Sequence, residues 1–142
     1  MRKDKIIAYT DGGCLVNPGG KGGFGVVLID GESITEISQG YIRTTNNRME
    51  LMAILAVFEN IERNRDVTIY SDSKYAIGVA SGEMRASKNL DLVEQLLNEL
   101  KGREVDFIWV KGHNGNIYNE RCDELATEAM NGTLIKDIGY TD

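Results

Sequence analysis

One histidine, one proline, one tryptophan and two cysteines among 142 residues leave little scope for chemistry through sulfur or imidazole. Cys14 and Cys122 are too few for a disulfide framework and lack zinc-ligand spacing, so both are expected as reduced thiols. A Cys-His nucleophile built on Cys14 is a poor candidate, because His113 belongs to a separate glycine-bounded run. No stretch of 18 apolar residues is present, which excludes a membrane-spanning helix. The start, Met1-Arg2-Lys3-Asp4-Lys5, leads directly into a strand-like run without a signal-peptide apolar region, and this points to the cytoplasm. The glycine-rich Gly19–Gly25 stretch is no phosphate loop of the Walker kind, since Lys21 is followed by Gly22 rather than Ser or Thr. Positive charge is also scarce. With 16 Lys and Arg against 22 Asp and Glu, the formal charge is −6, which argues against a broad basic face and for weak, salt-sensitive nucleic-acid binding.

The length fits one domain, read as residues 1–142, and an apolar fraction of 42% suffices for one core. Lys5–Thr10, Phe24–Ile29 and Ile34–Tyr41 read as strands, the last two joined by the Asp30-Gly31 turn; together they predict an antiparallel meander. Thr45-Asn46-Asn47 caps a helix expected from Met49 to about Arg63, whose eight apolar residues from Leu51 to Phe58 require burial on most sides. Val67–Tyr70 is a short strand, followed by a helix from near Lys74 and a second helical stripe of Leu90, Val93, Leu96, Leu97 and Leu100 read as core packing. Glu104–Val110 is another strand and Asn119–Met130 a final helix; the tail from about Asn131 has few apolar repeats, and the pattern leaves open whether it is flexible. This order predicts an α/β fold with a five-stranded mixed sheet, three antiparallel strands and then parallel ones, and helices on both faces.

Four acids stand in short distinctive runs: Asp11 in Tyr9-Thr10-Asp11-Gly12-Gly13, Glu50 in Asn46–Leu51, Asp72 in Tyr70-Ser71-Asp72-Ser73, and Asp123 in Asn119–Leu125. Two lie at strand ends and two on helices, so the fold can gather them. Converging carboxylates make a site for hard divalent cations such as Mg²⁺, and paired ions can serve phosphodiester cleavage. Two of the acids have a plainer alternative. Glu50, expected in the first turn of its helix, would complement the helix dipole, and Asp72 or Ser73 would cap the following helix.

Five runs in this order resemble type 1 ribonuclease H, the bacterial cytoplasmic family that cuts the RNA strand of RNA–DNA hybrids. They are Thr10–Cys14 with Asn17-Pro18-Gly19, Thr44–Leu51, Ser71-Asp72-Ser73, Trp109–His113 and Asn119–Ala126. The resemblance implies a ribonuclease H-like fold and a monomeric endonuclease in which Asp11, Glu50, Asp72 and Asp123 hold two Mg²⁺ ions, with Mn²⁺ able to substitute. It implies hydrolysis to 5′-phosphate and 3′-hydroxyl ends, with His113 assisting proton transfer or product departure. It places Cys14, Asn17, Asn46 and Asn47 near the hybrid minor groove, and Arg43, Thr45 and Asn89 around a phosphate of the DNA strand. For Asn89, helix capping before Leu90 is the alternative. Lys74 stands where relatives often have Gln and is expected to meet the substrate. The basic handle that many bacterial members insert after the Asp72 strand is reduced here to Ala80–Lys88. A junction-resolving or transposase-like nuclease of the same fold, and a non-catalytic hybrid-binding module, are the competing readings. The Asn46-Asn47 pair speaks against the first, and the full set of acids with His113 against the second.

Overall fold

Nine-residue strands with branched and aromatic side chains build the centre of the sheet. The structure, a computed structural model, describes residues 5–112 and 115–141. β1 (Ile6–Cys14), β2 (Gly22–Asp30) and β3 (Ser33–Tyr41) form the antiparallel meander, and β4 (Val67–Ser71) and β5 (Val105–Trp109) extend it in parallel from the β1 edge. A further strand, β6 (Leu134–Ile135), pairs parallel with Gly40 and Tyr41, so the order is β5-β4-β1-β2-β3-β6. The expected five strands are therefore joined by a sixth, which ties the tail to the sheet. A two-residue strand is too short to leave a periodic trace.

Side-chain alternation divides β2 between two packed faces. Phe24, Val26 and Leu28 enter the larger core, whereas Val27 packs with Cys122 and Leu125 on the other side. Helix α1 (Asn46–Glu59) fills the larger core with Leu51 and the run from Ala53 to Phe58, and its Met49 is also buried. Its Thr45 cap accepts from Arg48 N at 3.1 Å, and Asn60 closes the other end at the same point where Nδ2 returns to Ala56 O at 2.7 Å. The helix thus begins three residues before, and stops four residues before, the sequence expectation, because the caps rather than the apolar run set its ends.

α2 (Lys74–Ser81) is capped by Ser73, whose hydroxyl accepts from Ala76 N at 3.0 Å. In α3 (Leu90–Leu100) the buried side chains are Leu92, Val93 and Leu96, while Leu90 and Leu97 are exposed. The inward stripe is therefore centred on Leu92 and Leu96. Leu90 and Leu97 sit about a third of a turn or more from that centre, taking about 100° per residue. On the opposite face, α4 (Ile117–Met130) starts at the Asn116 cap and lies close against β2. A Cβ on Gly25 would collide with the Cys122 carbonyl, so glycine sets the depth at which this helix docks.

Candidate active site

The parallel β1–β4 ladder ends with Thr10 opposite Ser71, and the next residue on each strand is an acid, Asp11 and Asp72. Asp72 immediately follows the carboxyl end of β4, and Asp11 lies within β1 just past its parallel pairing with β4, where β1 runs on to Cys14 beside antiparallel β2 alone. Open α/β sheets bind ligands in the crevice at such positions. Asp72 does not cap α2, since Ser73 holds that role; Trp109 Nε1 instead donates to the Asp72 carbonyl at 3.0 Å and fixes the turn.

Glu50 arrives from α1. A Cβ on Gly12 would lie 2.5 Å from the Met49 carbonyl carbon and 2.7 Å from Glu50 N, so the missing side chain lets strand and helix meet. Because α1 starts at Asn46, its first turn contains no acid and Glu50 lies beyond it. The helix-dipole explanation of Glu50 therefore loses its geometry, as that effect fades within the first turn.

One carboxylate oxygen from each of Asp11, Glu50 and Asp72 lies within 4.8 Å of the other two. Asp11 and Glu50 are buried, and Glu50 Oε1 has no hydrogen-bond partner. Burial, then the charges of Asp72 and Asp123, push the Asp11 carboxyl from its ordinary 3.8 up to about 8, although Gly12 N donates to its Oδ1 at 2.9 Å. Burial and then Asp11 and Asp72 raise Glu50 likewise. Crowded acids of this kind are relieved by a bound cation. The donor set is all oxygen, which suits Mg²⁺, and the unpartnered Glu50 Oε1 is an acceptor such an ion would satisfy.

Asp123 stands apart. It is exposed on α4 and outside the three-carboxylate group, yet Cys122 beside it donates to Tyr9 O at 3.2 Å, which brings its charge near Asp11. Burial raises the Cys122 thiol, consistent with a packing role. His113 lies outside the described residues.

The expected substrate residues fall into two groups. Cys14 ends β1, Asn46 and Asn47 begin α1, and Asn17, Arg43 and Thr45 lie on the loops beside them, which are laced together: Gly19 N donates to Thr44 O at 2.8 Å, Thr44 N to Gly20 O at 3.1 Å and Asn46 N to Asn17 Oδ1 at 3.0 Å. Cys14 Sγ faces the Val16 carbonyl at 2.9 Å, a half-buried free thiol. Lys74 and Asn89 come from other elements. Lys74 Nζ sits 4.7 Å above the Trp109 ring. The Asn89 side chain makes no cap hydrogen bond; it donates to the Tyr75 hydroxyl at 3.0 Å and accepts from Arg48 Nη1 at 3.3 Å.

Sequence reasoning missed Arg48. Its guanidinium is buried and donates to both oxygens of Asp91, at 2.9 and 2.7 Å, and to both of Asp137, at 2.7 and 3.0 Å. A charge heading an apolar helix was the available signal, because a buried charge must find a partner. Trp109 carries no sequence signal for its hold on the Asp72 carbonyl, since that contact joins two strand ends 37 positions apart.

The family profile described as RNase H matches residues 3–131. A ribonuclease H from Trichodesmium erythraeum is 41% identical over 154 aligned positions, covering 98% of each chain. One from Syntrophus aciditrophicus is 43% identical, with 96% of this chain and 87% of the relative covered. Among solved structures, LC11-RNase H1 in complex with an RNA/DNA hybrid aligns with a TM-score of 0.75 and 26% identity, over 89% of this chain and 97% of that one. The acidic crevice thus sits in a chain whose similarity to ribonucleases H runs nearly end to end, and the protein belongs to that family of hydrolytic nucleases.

Proposed function

We propose that this chain, as a single catalytic domain, hydrolyses the RNA strand of RNA–DNA hybrids, with Asp11, Glu50, Asp72 and Asp123 holding two Mg²⁺ ions. The observation that carries the reading is the three-carboxylate group within 4.8 Å, two of its members buried and one oxygen unpartnered. When bound, the ions would activate water at the scissile phosphorus and steady the departing 3′ oxygen, giving 5′-phosphate and 3′-hydroxyl ends.

The chain's own residues do the rest. β1 and β4 fix Asp11 and Asp72 side by side, and Gly12 seats Glu50 against them. We assign His113 the proton-transfer or product-departure role, for which an imidazole titrating near neutral pH is suited. The laced loops and the element ends beside them, with Cys14, Asn17, Asn46 and Asn47, present polar groups for reading 2′-hydroxyls, the feature that separates RNA from DNA. The hybrid in the LC11-RNase H1 complex supports that substrate class. We further read the chain as a monomer acting in the cytoplasm; no helix among the described residues is long and apolar enough to cross a membrane.

The test is cleavage of labelled RNA–DNA hybrid, DNA duplex and RNA duplex with Mg²⁺, with Mn²⁺ and with chelator. Only the RNA strand of the hybrid should be cut, and only with metal. Asp11→Asn should lower the rate at least ~100-fold, the scale of removing one preorganised electrostatic group. Preferential nicking of DNA duplex, or an unchanged rate for Asp11→Asn, would reject the proposal.

A further inference from the structure

β5 runs alongside β4 to its carboxyl end and delivers its last residue to the turn that carries Asp72. Ser71 pairs with Trp109 in the parallel register, and Val110 N donates to Ser71 O at 2.9 Å. The next two residues of the turn are held as well. Trp109 Nε1 donates to the Asp72 carbonyl at 3.0 Å, and Ser73 N donates to Ser71 Oγ at 3.0 Å. Lys74 Nζ stands over the face of the same indole, 4.7 Å from its centroid. One side chain therefore grips the chain on both sides of the Ser73 cap. Core packing does not account for it: Trp109 is 44% exposed and joins neither hydrophobic cluster.

Two residues beyond Val110 the chain meets the Asp72 carboxylate itself. A Cβ on Gly112 would lie 2.8 Å from Asp72 Oδ2 and 3.6 Å from its Cγ. Gly112 lacks the positive φ of Gly102 and Gly115, so backbone conformation does not call for glycine here. The contact with Asp72 does. Oδ2 is the far end of a side chain whose last torsion turns easily, so a methyl at 112 would swing the carboxylate aside at little cost to the fold. We propose that Trp109 and Gly112 are positioning residues for Asp72. The indole fixes the backbone from which the carboxylate projects, and the bare Gly112 backbone leaves the space that Oδ2 occupies. The assignment rests on the metal-site reading above and extends it to the segment leaving β5. Groups that orient a metal ligand commonly set metal affinity by about 10–100-fold.

The test titrates the full chain with Mg²⁺ alone, reading melting temperature, and measures steady-state hybrid cleavage in parallel. Gly112→Ala should melt with wild type in chelator. It should nevertheless need about tenfold more Mg²⁺ to reach half of its stabilisation. Trp109→Phe, which removes the N–H donor and keeps a ring beneath Lys74, should move the Mg²⁺ midpoint the same way. At limiting Mg²⁺, kcat of both variants should fall by about the same tenfold with KM for the hybrid unchanged. The melting midpoint is read without substrate, so a disturbance of the neighbouring His113 cannot imitate it. A wild-type midpoint in either variant, with any loss confined to melting in chelator, would strike that residue from the assignment. A rise in KM at constant kcat would do the same. If Mg²⁺ stabilises wild type but no hybrid is cut, the nuclease reading falls, and the midpoints still decide the roles of Trp109 and Gly112. No stabilisation of wild type by Mg²⁺ would sink both.

Discussion

Arg48 Nε donates to Asp137 Oδ2 at 2.7 Å, joining the start of α1 to the C-terminal tail across 89 positions of chain. Both side chains are almost wholly buried, and Asp91 and Thr44 complete the network. Because Glu50 lies two residues beyond Arg48 on the same helix, the network holds the helix end from which a candidate ligand projects.

Removing one member of a buried ion pair strands the other, at a cost of about 3 kcal/mol. Asp137→Ala should therefore lower the melting temperature by about 10 °C, at about 3 °C per kcal/mol for a chain this size. Asp91→Ala should cost less, since the Asp91 side chain is 42% exposed and its pairing is screened by water. Thermal melts of the two variants side by side check the ranking. Equal losses would mean that the tail contributes no more than a surface pair.

What the sequence made legible, and what it did not, divides along locality. Asp11 and Asp72 stood out because each follows a short apolar run, where an acid is conspicuous, although β1 itself continues past Asp11 to Cys14. The capping alternative for Asp72 stayed open because Asp and Ser cap equally well; only the Ser73 hydroxyl at 3.0 Å from Ala76 N decides it. Asp137 gave no signal at all. Its partner is distant in the chain, and the tail has neither periodicity nor a turn pattern to mark an anchored residue. The α3 stripe misled for a related reason: leucine spacing shows that a helix has a face, but Leu90 and Leu97 point away from what α1 offers.

The raised Asp11 carboxyl makes a linkage prediction for the metal-free protein. Its folded value is about 8 against an ordinary 3.8, so between those values the native state binds the extra proton. Stability that this group contributes is complete below about pH 4 and is lost as pH rises toward 8. In chelator, wild type should lose more melting temperature between about pH 5 and about pH 9 than Asp11→Asn does. Adding Mg²⁺ at the upper pH should restore wild type and leave the variant nearly unmoved, because a ligand that binds only the native state stabilises it. Parallel pH curves for the two proteins would contradict the crowded-acid account.

Asp123 should behave differently from Asp72. It is exposed and outside the 4.8 Å group, so it should hold its ion more loosely than the central three do. Asp123→Asn should raise the Mg²⁺ concentration needed for half-maximal cleavage and keep a larger share of the saturated rate than Asp72→Asn. Metal titrations of the two variants read this directly. An equal collapse at saturating metal would place Asp123 on the same footing as the central three.

Gly12 offers the sharpest separation between folding and chemistry. A Cβ there meets Met49 carbonyl carbon at 2.5 Å and Met49 O at 2.6 Å, both backbone atoms that no rotamer change can clear. Gly12→Ala must push α1 away from β1, at ~1–3 kcal/mol for overpacking of this kind. The displaced residues include Glu50, so cleavage should fall by more than the loss of folded protein explains, with KM for the hybrid nearly constant. Gly31→Ala is the control: its site has open space, and its cost comes only from a φ of +61° far from the crevice, so stability drops slightly and the rate per folded molecule holds. If Gly12→Ala folded normally and cut at the wild-type rate, the close approach of β1 and α1 would not be what seats Glu50.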